Sequence, residues 1–141
     1  IGMAVTWIDL EDLKKGIAHC KYLIGNDYEI SSIFEKTGSE ANELIGKGTS
    51  IITTLGEKGV HYIDSEHEYE IPAYRGSKII DPTGAGDAFR GGFVAGITSG
   101  KTTLDSLKQG NAIASFAIEK YGTVNHKPTR SEIEERAKTL N

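Results

Sequence analysis

The sequence holds a single cysteine, Cys20, in 141 residues. One thiol excludes an internal disulfide framework and any multi-cysteine metal site, and it fits a reducing cytosol. No run of about 18 apolar residues is present, so no membrane-crossing helix is expected. No secretory signal pattern is visible either. Neither charge forms a long run, and the net charge is −4. A nucleic-acid or anionic-membrane surface needs a basic patch, so neither partner is expected. The four histidines show no metal-ligand spacing. Internal repeats and low-complexity linkers are also missing. The chain starts Ile1-Gly2-Met3, so either the N-terminus was processed or the sequence is a piece of a longer protein.

What is present is ordinary for a globular protein: 38% hydrophobic and 26% charged residues. Leu10, Leu13, Ile17 and Ala18 recur at helical spacing. Lys21 to Ile24 reads as a short buried strand ending at a Gly25-Asn26 turn. Residues 28–36 and 39–46 read as helices, the second capped by Ser39. Thr49 to Leu55 is rich in β-branched residues and reads as a central strand. A Gly56–Gly59 turn follows, then strands over 60–64 and 67–71, and a brief strand over 78–80. Helices are expected after residue 87 for about 12 residues, then over 102–120 and 130–139. Strands interleaved with helices predict an α/β protein with a mostly parallel sheet. Ligands of such sheets bind beyond the carboxyl ends of the strands, where Asn26 and the 81–87 loop fall.

The segment DPTGAGDAFRGGF, residues 81–93, carries the chemistry. Pro82 lacks an N–H and stops a strand. Gly84 and Gly86 permit conformations closed to other residues and let a ligand approach the backbone. A helix opens directly behind them, and its first N–H groups have no partner within it. That is an anion hole built from backbone. Asp87 within it has two readings. It is a helix cap, or it is the base that accepts a hydroxyl proton during phosphoryl transfer.

DPTGAGDAFRGGFVAG closely resembles the C-terminal signature of the ribokinase-like (pfkB) sugar and nucleoside kinases. The resemblance implies a three-layer α/β/α fold, with residues 1–141 forming the C-terminal ATP-binding and catalytic portion. It implies that Gly84, Ala85 and Gly86 form the anion hole and that Asp87 is the catalytic base. Asn26-Asp27-Tyr28-Glu29 resembles the family's Asn-x-x-Glu element, so Asn26 and Glu29 are expected to organise Mg2+ through water. A plain capping box is the competing reading of that pair. Thr54-Leu55-Gly56-Glu57-Lys58-Gly59 resembles the family's Thr-x-Gly-x-x-Gly turn, which implicates Thr54, Gly56 and Gly59 in ATP contact. An ordinary turn between strands is the competing reading. Asn111 opens a small-residue stretch, Asn111 to Ser115, where the family packs a helix beside adenine. Gly122 to Thr129 resembles the loop that follows. Asp81 and the Thr83 carbonyl are candidates for a monovalent cation, K+ or Na+.

Residues 95–102, AGITSGKT, nearly spell a phosphate-binding P-loop. A P-loop follows a strand, whereas this segment follows a helix, so Gly100 reads as a helix C-cap. Phe89 stands where a dinucleotide fingerprint needs its third glycine, which argues against hydride transfer. Arg90 reads as a solvated side chain rather than a phosphate ligand. Family members are roughly twice as long, and the N-terminal half and β-sheet lid they use for the acceptor have no counterpart here. The function expected is ATP-dependent phosphorylation of a sugar or nucleoside. DAFRGGF followed by GTVNH leans towards adenosine kinases. The rival from another class is a non-catalytic nucleotide-binding module. A cytoplasmic location is expected, and the oligomeric state stays open between monomer and homodimer.

Overall fold

The computed structural model describes residues 5–141, so the Ile1-Gly2-Met3 start lies outside the described residues. The elements run α1 (Leu10–His19), β1 (Tyr22–Asn26), α2 (Asp27–Thr37), α3 (Ala41–Gly46), β2 (Ser50–Thr54), β3 (Val60–Ile63), β4 (Glu68–Ile71), α4 (Ala85–Thr98), α5 (Thr103–Ala117) and α6 (Arg130–Lys138). A 3-10 turn, Gly56–Lys58, lies between β2 and β3.

The chain divides into two compact units. Of the described residues, the first comprises 5–55 and 61–70. Its apolar residues recur where the helical and strand periods put them: Leu13 and Ile17 on α1, Leu23 on β1, Ile30 and Ile33 on α2, Ile51 on β2. The four strands form one sheet in the order β1-β2-β3-β4. The α2–α3 crossover between β1 and β2 is long enough to make that pair parallel, with Tyr22 opposite Ser50 and Asn26 opposite Thr54. The β2–β3 and β3–β4 connections are too short for a crossover, so those pairs are antiparallel and the sheet is mixed. Tyr62 of β3 is fully buried; its hydroxyl donates to the Asp64 carboxylate and hydrogen-bonds the Ser50 hydroxyl at 3.2 Å. Burial and the Asp64 hydrogen bond push its pKa up to about 12.

The second unit comprises residues 56–60 and 71–141. Its core holds Phe89 and Phe93 of α4 and Leu107, Ala112 and Ala117 of α5. These two helices approach closely because the contact is made of small residues. A Cβ on Gly110 would lie 2.8 Å from the Phe89 carbonyl oxygen, and one on Gly96 would lie 2.7 Å from Ser106 Oγ.

Three expectations need correction. Ser39 does not cap α3: the N-cap position is Glu40 and no side chain caps it. The Ser39 N–H instead donates to Thr37 Oγ1 at 3.3 Å. Residues 78–80 form no strand. The Ile80 N–H bonds the Ile118 carbonyl at the end of α5, so the backbone is satisfied by a helix terminus instead of a neighbouring strand. The helix expected over 102–120 ends at Ala117. The near-P-loop at residues 95–102 is a helix end. Gly100 sits at φ +82, its N–H bonds Ile97 O, and the Lys101 N–H bonds Gly96 O. Those paired bonds are a Schellman termination.

Candidate active site

Asp81 organises the loop that leads into α4. Its Oδ1 accepts the Thr83 N–H at 2.9 Å, and its Oδ2 accepts the Gly122 N–H at 3.0 Å. Hydrogen bonding by the Thr83 side chain first, and then by the Gly122 and Thr83 N–H groups, holds its carboxyl below the usual carboxylate range. Gly84 then turns the chain at φ +83, and a Cβ there would lie 2.9 Å from Thr123 Cβ. Glycine at this position is therefore dictated by the protein itself. Gly86 differs: its backbone φ is ordinary, and a Cβ would meet only Arg90 Nη1, at 4.0 Å. The expectation that its own backbone demands glycine is corrected; only a ligand lying against it would.

α4 starts at Ala85 with Gly84 as N-cap and no side-chain cap. Asp87 is the third residue of the helix and does not cap it, which removes the reading of this carboxylate as a cap. Its side chain is 82% exposed and accepts a 2.8 Å hydrogen bond from Arg90 Nη1. Arg90 is thus paired with Asp87 rather than simply solvated. The Ala85 N–H turns back to Pro82 O. Those of Gly86 and Asp87 meet no acceptor in the described hydrogen bonds and face the end of the helix where the dipole is positive. The loop presents donors for an anion and a solvated carboxylate beside them.

A cavity of about 550 Å3 adjoins this helix start through Ala85 and Pro82. Its walls include Asn111, Ala114, Ser115 and Ile118 of α5, the Gly56-Glu57 turn, and Tyr74, Ser77 and Ile79 of the 72–80 loop. The volume suits a drug-sized or nucleotide-sized ligand. Small side chains on α5 leave room for a flat ring. Asn111 is buried, and its Nδ2 donates to Pro72 O at 2.9 Å, which leaves its amide holding the 72–80 loop. Gly59 sits at φ +100, and a Cβ there would lie 2.0 Å from Ile71 O, so no other residue fits. Gly56 also has positive φ, +57, in open space.

Of the residues singled out in the sequence, Gly56, Ala85 and Asn111 line one cavity. Asn26, Glu29 and Thr54 belong to the first unit. There Asn26 and Glu29 form a reciprocal capping box: Glu29 N–H to Asn26 Oδ1 at 2.7 Å, Asn26 N–H to Glu29 Oε2 at 3.0 Å. Thr54 Oγ1 donates to Gly25 O at 3.4 Å. Among the described residues no three His, Cys, Asp or Glu side chains cluster as a metal cage. Sequence reasoning missed Tyr74, Ser77 and Ile79. They come from a stretch with no helical or alternating pattern, and the Gly76 turn signal was the available clue.

Helix-opening N–H groups without partners, an exposed carboxylate beside them and an adjoining cavity of this size are the features of this α/β chain that a comparison with known proteins can be set against. Residues 3–130 match the pfkB family carbohydrate kinase model, and the chain belongs to that family. It is 33% identical over 120 residues to a ribokinase of Lactococcus lactis, covering 84% of this chain and 39% of the relative. It is 32% identical over 126 residues to a nucleoside kinase of Methanocaldococcus jannaschii, covering 89% and 42%. Among solved structures, the Burkholderia thailandensis nucleoside kinase in complex with inosine superposes with a TM-score of 0.91 at 33% identity, covering 98% of this chain and 46% of that one. The fold is therefore ribokinase-like. The chain spans less than half the length of these relatives.

Proposed function

We propose that the protein carrying this sequence transfers the γ-phosphoryl group of Mg-ATP to a hydroxyl of a nucleoside or sugar. The observation that carries the proposal is Asp87. It caps nothing, it is exposed, and it stands beside the unpartnered N–H groups that open α4. In this reading Asp87 accepts the acceptor hydroxyl's proton. The hydroxyl oxygen then bonds to the γ-phosphorus, the bond to the β–γ bridging oxygen breaks, and ADP leaves. The N–H groups of Gly84, Gly86 and Asp87 stabilise charge on the moving group, while Ala85, whose own N–H bonds Pro82 O, carries the turn between them. The cavity along α5 receives the base, with Gly56, Gly59 and Asn111 shaping it and Thr54 contacting the phosphates. Asn26 and Glu29 hold Mg2+ through water, and Asp81 with the Thr83 carbonyl is the candidate site for K+ or Na+.

Nucleosides are the favoured acceptors, supported by the nucleoside kinases among the relatives. The test is a screen of adenosine, inosine, other nucleosides, ribose and fructose 6-phosphate with Mg-ATP. Magnesium-dependent ADP release with at least one acceptor is expected. No release with any of them would overturn the proposal.

A further inference from the structure

No residue of α6 is fully buried, but the Arg136 side chain is only 17% exposed. Its guanidinium carbon lies 3.4 Å from the centroid of the Phe116 ring and 4.6 Å from that of Tyr74. Nη1 donates to Ser115 Oγ at 2.8 Å and to Ser77 Oγ at 3.2 Å, and Nη2 donates to Glu119 at 3.0 Å. Three of these partners, Tyr74, Ser77 and Ser115, line the cavity beside α4, whereas Arg136 does not. Both serine hydroxyls are committed on their donor side as well. Ser77 donates to Ser115 O at 3.0 Å, and Ser115 donates to Ala112 O at 2.6 Å. Arg136 supplies the donors that fill their acceptor side. One planar fork thus fixes the rotamers of two cavity-wall hydroxyls and clamps the Tyr74 ring. A lysine, with one rotating ammonium, cannot do both. The family match ends at residue 130, short of Arg136.

We propose that Arg136 is a positioning residue for the nucleotide: it acts through Tyr74, Ser77 and Ser115 to hold the cavity wall in the shape that receives the base. The proposal rests on the nucleotide reading of this cavity. An irregular loop supplies Tyr74 and Ser77, and nothing in its own backbone pattern pins it. The clamp makes the wall rigid before the ligand arrives, so less order has to be created on binding.

Calorimetry with ADP, together with steady-state kinetics varying Mg-ATP and acceptor separately, tests this. Arg136→Met is expected to weaken ADP binding about tenfold, the size of one lost charge-assisted hydrogen bond. Arg136→Lys is expected to weaken it nearly as much. The KM for Mg-ATP should rise in step, while kcat and the acceptor KM move by less than about twofold. A purely structural role would lower the melting temperature and leave ADP affinity unchanged at temperatures where the variant is folded. That result would overturn the proposal, as would full rescue by lysine. Should Arg136→Met fail to fold, Glu119→Gln loosens the same fork from outside the cavity and is expected to weaken ADP binding about threefold. Wild-type affinity in Glu119→Gln would then overturn it. A wild-type protein that binds no ADP would instead remove the nucleotide reading itself, and the two failures are therefore distinguishable.

Discussion

At the scale of single residues, Asp87 and the two glycines before it separate roles that the sequence leaves superimposed. Asp87→Asn keeps the shape and removes the proton acceptor. The carboxylate caps no helix, so its loss leaves the backbone of α4 untouched. Only the solvent-exposed pairing with Arg90 goes, and such pairs are worth about 0.2–1 kcal/mol. In the intact enzyme we expect kcat to fall at least about 100-fold, about 2.7 kcal/mol of barrier, with the melting temperature shifted by a few degrees. A kcat within about threefold of wild type, with chemistry rate-limiting, would leave Asp87 without a role as base. The glycines behave oppositely to each other. Gly84→Ala forces a Cβ into a positive-φ position against Thr123 and should cost about 1–3 kcal/mol of stability. Gly86→Val meets open space, so its melting temperature should hold while turnover is lost. Thermal unfolding and activity measured on the same two variants check both statements. A Gly86→Val enzyme with wild-type turnover would remove its amide from the phosphate site.

At the scale of elements, β3 carries the most strongly perturbed titrating group described. Tyr62 is buried and bonded to Asp64, and its pKa is pushed up to about 12. The folded state therefore holds the phenolic proton more tightly than the unfolded chain, whose tyrosines titrate near about 10. The sign follows from linkage: the stabilisation is complete below about pH 10 and is lost as pH rises through about 12. Tyr62→Phe should cost about 1–2 kcal/mol at pH 8, because the Ser50 and Asp64 groups lose their partner. The gap in melting temperature between wild type and Tyr62→Phe should then narrow from pH 9 to pH 11. A gap that stays constant over that range would mean the hydroxyl is not held as described. Asp81 has the opposite sign. Its lowered pKa means that its tether to Gly122 is complete above the ordinary carboxylate range and is lost as pH falls through the lowered value.

At the scale of the whole molecule, no helix among the described residues is long and apolar enough to cross a membrane. The cavity and the helix start that adjoins it are both built from residues 56–60 and 71–141, one compact unit. A ligand that uses this cavity has its wall residues within this chain. The chain nevertheless spans only 39% and 42% of the two curated relatives. We therefore expect the 141-residue chain on its own to bind ADP measurably and to turn over poorly. Calorimetry and a coupled assay on the same preparation check this. Robust turnover by this chain alone would show that the rest of the relatives' length is dispensable for chemistry.

The sequence by itself determined the parts governed by local rules. The order of helices and strands follows from side-chain period, the α2 start from an Asn-x-x-Glu capping box, and the end of α4 from Gly100. The DPTGAGD loop was legible because its glycines and its following helix sit within a few residues of one another. Tertiary structure decided what depends on residues far apart in the chain. Residues 78–80 became a cavity-lining loop because Ile80 found its partner at Ile118, 38 positions away. The fold requires glycine at 84 because Thr123 crowds it, and does not require it at 86, where a Cβ would meet only Arg90 Nη1 at 4.0 Å. Asp87 lost its reading as a cap once Gly84 took the cap position. Arg136 gave no signal in sequence, since an arginine on a polar helix reads as solvated. Only the packing of α6 against Tyr74, Phe116 and Glu119 buries it, and burial is what turns a surface charge into a clamp.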